Sequence, residues 1–387
     1  MDDIALRAHV RLLLESSQNF SDMTFESRGL FPQDLAKILH DEARPGAPQR
    51  MHAKTIIQQI GHPSRERPFI DSGLPIPHPF DADWRFTVAT ASQLLRHVCA
   101  TLKKGDTLLL AAVPTVARVA ASLNLPLKIV FAARRGDPVT QSVCNLCPNL
   151  EYRDIQGDVG PVSADATIID PPWYDEIARP MVQKAMKGTR VGAPIYVCVP
   201  DIFTACSSAV LLADAPAFAS SLSTAASFEP ILLRYETPFF EFNALHAAAI
   251  TNFHPQWRTG QLVRLKAVPT ADCDLPNEMG WHEKAIGRSR IRFRSAPSAR
   301  EGISTLPISE SVSRARWRQI QPTVVTSGNR FCNTQVTIQP SEELSVASAA
   351  QLALVAAREN RDLQEHFRLA PIRAYSSVDN SPNVVHL

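Results

Sequence analysis

The sequence lacks several features that would each identify a class of protein. It has no uninterrupted run of about eighteen apolar residues, the length that a membrane-spanning helix needs. The N-terminus opens on Met1-Asp2-Asp3 and lacks the basic and then apolar segments of a secretory signal. Seven cysteines scattered over 387 residues do not form a disulfide framework, and a formal net charge of +2 gives no overall attraction to nucleic acid. We therefore expect a cytoplasmic protein that makes no membrane contact.

Between residues 81 and 270, short apolar segments alternate with segments of helical periodicity. Strands are predicted at 107–111, 128–132, 151–154, 166–170, 194–199, 228–234 and 261–266. Helices fill most of the intervals, which is the rhythm of βαβ units in a parallel sheet. The fold class predicted for 81–270 is therefore α/β, with a doubly wound, mostly parallel sheet of the Rossmann-like kind.

Four other segments flank this core. Residues 1–70 carry three helical patterns and are predicted to form a small helical domain that resembles a winged-helix module. An ordinary helical cap or dimerisation unit is the favoured alternative, because the segment has no basic stripe. Residues 71–80 read as a proline-rich linker. Residues 271–375 read as a basic C-terminal region with a long helix, and residues 376–387 as a disordered tail.

Basic residues are concentrated in one part of the C-terminal region. Ten Lys and Arg against two Glu lie between Lys284 and Arg330. On a strand, alternate residues share one face. The residues in such positions are Arg288, Arg290, Arg292 and Arg294, and a second set comprises Arg314, Arg316 and Arg318. We predict that these rows bind a polyanion, either nucleic acid or an acidic protein partner; the alternative is a solvated strand face.

The segment 166–174 places an acid, two prolines and two aromatics directly after an apolar strand. Asp170 falls at the strand end, the edge where open α/β sheets bind ligands. Pro171 and Pro172 stiffen the backbone, and their carbonyls have no local N–H partner. Trp173 and Tyr174 add flat faces, so the site suits a planar amine held by acceptors and stacking. The structural alternative is a proline turn over a buried Trp.

This segment resembles the Asp-Pro-Pro-Trp/Tyr signature of class I S-adenosylmethionine-dependent methyltransferases that modify adenine N6 or cytosine N4. The resemblance implies that Asp170 and the Pro171 carbonyl, on the stiff turn that Pro172 completes, accept hydrogen bonds from the target amine. It also implies that Trp173 or Tyr174 stacks on an extruded base and that S-adenosylmethionine is the cofactor. The arginine rows, with Arg316 and Arg318, would then hold phosphates.

The same resemblance implies a cofactor site at the ends of the first three strands. The first loop, with Ala111, Ala112 and Thr115, has no glycine to supply a positive φ. The second strand lacks the acid that holds the ribose hydroxyls, unless Asp137 takes that place. Asp154, at the end of the third strand, fits the role of acceptor for the adenine amino group.

Two other functions remain open. The departures in the first two loops favour a catalytically degenerate methyltransferase-fold protein that serves as a binding or assembly component. The layout also resembles that of branched-chain polyamine synthases, which transfer an aminopropyl group. The first loop of those enzymes holds acids for cationic substrates, and the loop 111–115 of this sequence has none.

Cys144 and Cys147 have zinc-knuckle spacing without a second pair, so no metal site is predicted.

Overall fold

The computed structural model describes residues 3–62, 74, 84–134, 138–155, 162–172, 175–201, 203, 222, 225–237, 242, 245, 249–270, 281–286, 289–294, 373–376 and 385–386. The chain divides into two compact units. The first comprises residues 1–75, 84–237 and 251–275, and the second comprises 76–83, 238–250 and 276–387.

The first unit contains a seven-stranded sheet and its flanking helices. The helices are α1 (Asp3–Ser16), α2 (Phe20–Glu26), α3 (Pro32–Glu42), α4 (Arg50–Gln59), α5 (Val88–Cys99), α6 (Pro114–Ser122), α7 (Pro138–Leu146) and α8 (Asp175–Lys187). The strands are β1 (Thr107–Ala111), β2 (Lys128–Ala133), β3 (Glu151–Asp154), β4 (Ala166–Ile169), β5 (Pro194–Pro200), β6 (Ser227–Arg234) and β7 (Thr259–Lys266).

The order of the strands is β3-β2-β1-β4-β5-β7-β6. Strands β1 to β5 pair in parallel, and β7 lies antiparallel between β5 and β6. This order, with one antiparallel strand inserted beside β5, is that of the class I methyltransferase sheet. The predicted fold class is confirmed, and the predicted strands 107–111 and 166–170 are neighbours in one sheet.

The central strands β1, β4 and β5 are almost wholly apolar because both faces of the sheet are covered there. Leu108 and Leu110 of β1 pack with α5 and α6 on one face. Leu109 and Ala111 point to the other face, where they pack with residues of α8. Successive residues of a strand alternate between faces, so a strand buried on both sides needs an unbroken apolar run.

Helices α1–α4 belong to the same compact unit as the sheet. Arg11 of α1 binds Glu42 of α3 through two hydrogen bonds of 3.0 Å, which joins the first and third helices. Arg28, in the turn between α2 and α3, binds Asp201 after β5. The boundaries predicted near residues 70, 80 and 270 stay predictions.

The second unit contains a four-stranded antiparallel sheet in the order β11-β10-β9-β8. Its strands are β8 (Trp281–Ile286), β9 (Ser289–Arg294), β10 (Arg373–Ser376) and β11 (Val385–His386). Arg290, Arg292 and Arg294 thus occupy alternate positions of β9, in an antiparallel hairpin with β8. The remaining arginines of the predicted rows, Arg288, Arg314, Arg316 and Arg318, lie outside the described residues, as does the predicted long helix.

Within the described part of the chain, no helix has the length and apolarity to cross a membrane.

Candidate active site

The carboxyl ends of β1 to β5 meet at one edge of the sheet, because these strands are parallel. The ends of β6 and the beginning of β7 lie at the same edge, since Arg234 pairs with Thr259 and Pro200 pairs with Gly260. Ligands of open α/β sheets bind at this edge. The predicted catalytic and cofactor-binding residues that the structure describes, at the ends of β1, β3 and β4, are therefore on the side of this sheet where a ligand would bind.

Asp170 follows β4, between the ends of β1 and β5. Its backbone N–H donates to the carbonyl of Ala111 at 3.3 Å, which ties it to the loop after β1. The hydroxyl of Tyr235 donates to Asp170 Oδ1 at 3.2 Å. Pro171 is buried and Pro172 half-buried, and Trp173 and Tyr174 lie outside the described residues. Asp170 thus lies beside the first loop, and the roles of Asp170, Pro171 and Pro172 stay predictions.

Tyr235 is fully buried directly after β6. Its ring lies over Gly260, where an added Cβ would come within 3.2 Å of the ring and 2.8 Å of the Val199 carbonyl oxygen. Burial, together with the charge of Asp170, raises the pKa of the Tyr235 phenol well above its ordinary value. The same two causes raise the pKa of the buried Cys198 thiol. Both groups therefore keep their protons at neutral pH, so the phenol is a hydrogen-bond donor and the thiol is not a nucleophile.

The loop after β1 takes the conformation that glycine usually provides in this position. Ala112 has a φ of 54°, in the left-handed region that costs an L-residue about 1–2 kcal/mol. Thr115, in the first turn of α6, is only 3% exposed, and its Oγ1 has no hydrogen-bond partner among the described residues. A buried hydroxyl without a partner, next to unpaired helix N–H groups, suits an anionic ligand group.

The ends of β2 and β3 differ in how well they fit the cofactor. Asp154 is the last residue of β3 and is half-buried, where it can accept a bond from an amino group. Strand β2 ends at Ala133 and is followed by Arg134, so no acid stands at its end. Asp137 lies outside the described residues. The loop after β1 and the end of β3 fit S-adenosylmethionine, and the end of β2 does not.

A second carboxylate, that of Asp201, follows β5 at the same edge and is fully buried. Arg28 Nε and Nη2 each donate to it at 2.7 Å. Thr259 Oγ1 donates at 3.0 Å and Gln261 Nε2 at 2.8 Å. With four donors, Asp201 serves to attach the turn after α2 to the sheet rather than to bind a ligand.

A buried arginine stands at the start of the antiparallel strand. The Arg258 guanidinium carbon lies 2.9 Å from the ring centroid of Trp84 and 4.5 Å from that of Trp257. The charge of Arg258 lowers the pKa of the Tyr235 phenol, but burial raises this pKa by more. Stacking against indole rings is a favourable environment for a desolvated guanidinium.

Sequence reasoning missed Tyr235, Gly260, Arg28 and Asp201. Tyr235 is 65 residues from Asp170, and Arg28 is 173 residues from Asp201. No local spacing links such positions. The one available signal was the pairing of β6 and β7 with β5, which brings Tyr235 and Gly260 to the same edge as Asp170.

No cluster of His, Cys, Asp and Glu in the described residues has the composition of a metal site. Cys144 and Cys147, at and after the end of α7, are free thiols, and burial raises the pKa of each. A raised pKa means a small thiolate fraction at neutral pH.

No protein-family model matches the sequence, and no curated protein matches it. Solved structures that resemble the fold include YcgJ from Bacillus subtilis, at 9% identity over 48% of this chain and 100% of that chain, with a TM-score of 0.34. A 16S rRNA (adenine(1408)-N(1))-methyltransferase from Catenulisporales acidiphilia is 12% identical over 48% of this chain and 95% of its own, with a TM-score of 0.28. The N-methyltransferase NodS from Bradyrhizobium japonicum, in complex with S-adenosyl-L-homocysteine, is 12% identical over 46% of this chain and 85% of its own, with a TM-score of 0.31. At such values the assignment of the class I methyltransferase fold rests on the strand order of this chain.

Proposed function

We propose that this protein is an S-adenosylmethionine-dependent methyltransferase that acts on an exocyclic amino nitrogen of a nucleic-acid base. The observation that carries the proposal is the position of Asp170-Pro171-Pro172. These residues follow the central strand β4, and the backbone of Asp170 is bonded to the end of β1. Hydrogen-bond acceptors at the carboxyl end of β4 suit the transfer of a methyl group to an amine, because they can hold its N–H groups.

The cofactor would lie along the ends of β1 and β3. The N-terminal turn of α6 and the Thr115 hydroxyl would hold its carboxylate, and Ala112 has a side chain small enough for close approach. Asp154 would accept a bond from its adenine amino group. When bound, the cofactor supplies an electrophilic methyl group on a sulfonium.

The residues of the chain would orient the amine and remove its proton. The Asp170 carboxylate accepts one N–H of the amine and the Pro171 carbonyl accepts the other. These two bonds leave the nitrogen lone pair directed away from both acceptors. After transfer, the nitrogen carries an extra proton, which Asp170 is placed to accept.

A nucleic-acid substrate is supported by the arginines of β9. Arg290, Arg292 and Arg294 alternate along an extended strand. Rows of arginine hold a phosphate backbone and carry no information about base sequence. The row therefore accounts for affinity, and the acceptor cluster for the choice of base.

A second function, binding without catalysis, is favoured by the end of β2. Arg134 stands where methyltransferases of this fold place an acid for the ribose hydroxyls. A cation there disfavours a cationic cofactor. Aminopropyl transfer is not favoured, since the loop 111–115 has no carboxylate for a polyamine.

Calorimetric titration of the purified protein with S-adenosylmethionine tests the proposal. We expect saturable binding that Asp154→Ala weakens about tenfold, because a hydrogen bond to a charged group is worth about 1.5 kcal/mol. Asp106→Ala is the matched control, since Asp106 precedes β1 at the opposite edge. Wild-type protein that binds no S-adenosylmethionine would overturn the proposal and favour the non-catalytic alternative.

A further inference from the structure

Tyr235 contacts Asp170 at the described edge and lies outside the Asp-Pro-Pro motif. The Tyr235 hydroxyl donates to Asp170 Oδ1 at 3.2 Å, and the Tyr235 side chain is fully buried. Tyr235 comes from the end of β6, on the far side of β5 and β7 in the strand order. Its contact with Asp170 therefore crosses the sheet edge and is not a consequence of chain proximity.

The packing beneath Tyr235 keeps its ring in this place. Gly260 has no side chain, and a Cβ there would lie 3.4 Å from the Tyr235 hydroxyl and 2.8 Å from the Val199 carbonyl oxygen. The ring centroids of Phe86 and Tyr235 lie 4.6 Å apart. These neighbours leave the phenol little room to change its rotamer.

A fixed donor matters because the last torsion of an Asp side chain is broad. The backbone of Asp170 is held by its bond to the Ala111 carbonyl, but that bond does not orient the carboxylate plane. The Tyr235 hydroxyl adds a constraint on the orientation of the carboxylate itself. It also favours the charged form of the carboxylate, which is the form that accepts an N–H.

We propose that Tyr235 is a positioning residue that orients the Asp170 carboxylate toward the substrate amine. This inference rests on the proposed function and extends it to a residue outside the Asp-Pro-Pro motif.

Tyr235→Phe tests the proposal, because it removes the hydroxyl and keeps the ring. Tyr196→Phe is the matched control, since Tyr196 is buried in the same cluster, in β5. The assay measures transfer of labelled methyl from S-adenosylmethionine to single-stranded poly(dA) and poly(dC). We expect Tyr235→Phe to lower kcat by about tenfold to a hundredfold, with an unchanged KM for S-adenosylmethionine. Gly260→Ala, which keeps the hydroxyl and displaces the ring, is expected to lower kcat in the same way.

A second measurement does not depend on turnover. Carboxyl ¹³C resonances of labelled Asp are followed through a pH titration, and the Asp170 signal is assigned by its loss in Asp170→Asn. Loss of a hydrogen bond to the charged form should move the midpoint of the Asp170 titration up by about one pH unit in Tyr235→Phe. Tyr196→Phe should leave the midpoint in place.

The two measurements separate the two proposals. An unchanged midpoint in Tyr235→Phe overturns the positioning role, whatever the activity of the protein. A shifted midpoint together with an unchanged kcat in an active enzyme also overturns it. If Tyr235→Phe shifts the midpoint but the wild-type protein transfers no methyl group, the orienting bond is supported and only the proposed function is overturned.

Discussion

Arg28 and Asp201 form a two-pronged ion pair, in which Nε and Nη2 each lie 2.7 Å from a different carboxylate oxygen. Asp201 is fully buried, whereas the Arg28 side chain is 45% exposed. The pair attaches the turn between α2 and α3 to the end of β5, at the edge that carries Asp170. The ion pair between Arg28 and Asp201 thus fixes the helical N-terminal segment to the edge of the sheet that carries Asp170.

Removing the cation from this pair should destabilise the protein. Arg28→Met keeps the aliphatic stem and leaves Asp201 with two neutral donors, Thr259 and Gln261. We expect the free energy of unfolding to fall by about 2–3 kcal/mol, because a buried carboxylate loses its counter-charge. Urea denaturation measures the change. Arg44→Met, which removes the exposed ion pair with Asp41, is the matched control and should change it by less than about 1 kcal/mol. Equal effects of the two substitutions would contradict this account.

The catalytic role that we propose for Asp170 can be tested separately from folding. Asp170→Ala should lower the rate of methyl transfer by about a hundredfold or more, because it removes a positioned acceptor at the reacting nitrogen. The thermal transition should stay cooperative, since Asp170 is only partly buried. Asp106→Ala serves as the control at the opposite edge. Retained activity in Asp170→Ala would refute the assignment.

Most strands of the first unit could be predicted because burial on both faces demands apolar residues. The predicted segment 107–111 coincides with β1, which is buried and apolar. The predicted segment 151–154 coincides with β3, although β3 is a polar, partly exposed edge strand to which this reason does not apply. Helix α7 was not predicted: its sequence Pro138–Leu146 is short, and its apolar residues give no long periodic pattern. Helix α2 was also missed, because its seven residues span only two turns.

The candidate site could be predicted only where it is local in sequence. Asp170, Pro171 and Pro172 follow one strand, so the pattern reveals them. Tyr235 reaches Asp170 through the pairing of antiparallel strands, which no spacing rule anticipates. The positive φ of Ala112 was also unexpected, since alanine has a steric cost there that other interactions of the loop must offset.

The conformation of Ala112 leads to a prediction about stability. Ala112→Gly removes the steric cost of a φ of 54° and adds chain entropy to the unfolded state. These effects nearly cancel, so we expect the free energy of unfolding to stay equal or to rise by up to about 1 kcal/mol. Ala121→Gly, in the last turn of α6, should lower it by up to about 1 kcal/mol instead. Urea denaturation distinguishes the two, and a clear loss of stability in Ala112→Gly would contradict the prediction.

His254 should make stability depend on pH on the acid side. Burial and repulsion by Arg234 lower the pKa of its imidazole from 6.5 to about 4, and its Nδ1 accepts from the backbone N–H of Gln256. The unfolded state therefore binds a proton that the folded state does not bind between pH 6.5 and about 4. His254 contributes its full stability above pH 6.5 and loses it as pH falls to about 4, with no further loss below.

The measurement is urea denaturation of the wild type and His254→Asn at pH 7 and pH 4.5. Asn retains an acceptor near the position of Nδ1 and does not titrate. Because the imidazole is only half-buried, we expect it to account for on the order of 1 kcal/mol of the acid loss. The loss of stability between the two pH values should be smaller in His254→Asn by that amount. Equal losses in both proteins would show that His254 is not the group responsible.

The arginines of β9 are predicted to bind phosphates, whether or not the protein is catalytic. Arg290, Arg292 and Arg294 occupy alternate positions of β9, and regularly spaced arginines suit a phosphate backbone. Replacing Arg290, Arg292 and Arg294 together with Ala should weaken binding to single-stranded nucleic acid. It should also reduce the slope of log affinity against log salt by about 2, because each phosphate that an arginine neutralises adds roughly 0.7 to that slope. The matched control replaces Lys54, Lys103 and Lys104, three exposed cations of the first unit, with Ala. An unchanged slope in the arginine variant, or an equal fall in the lysine variant, would mean that the row serves the fold or a protein partner.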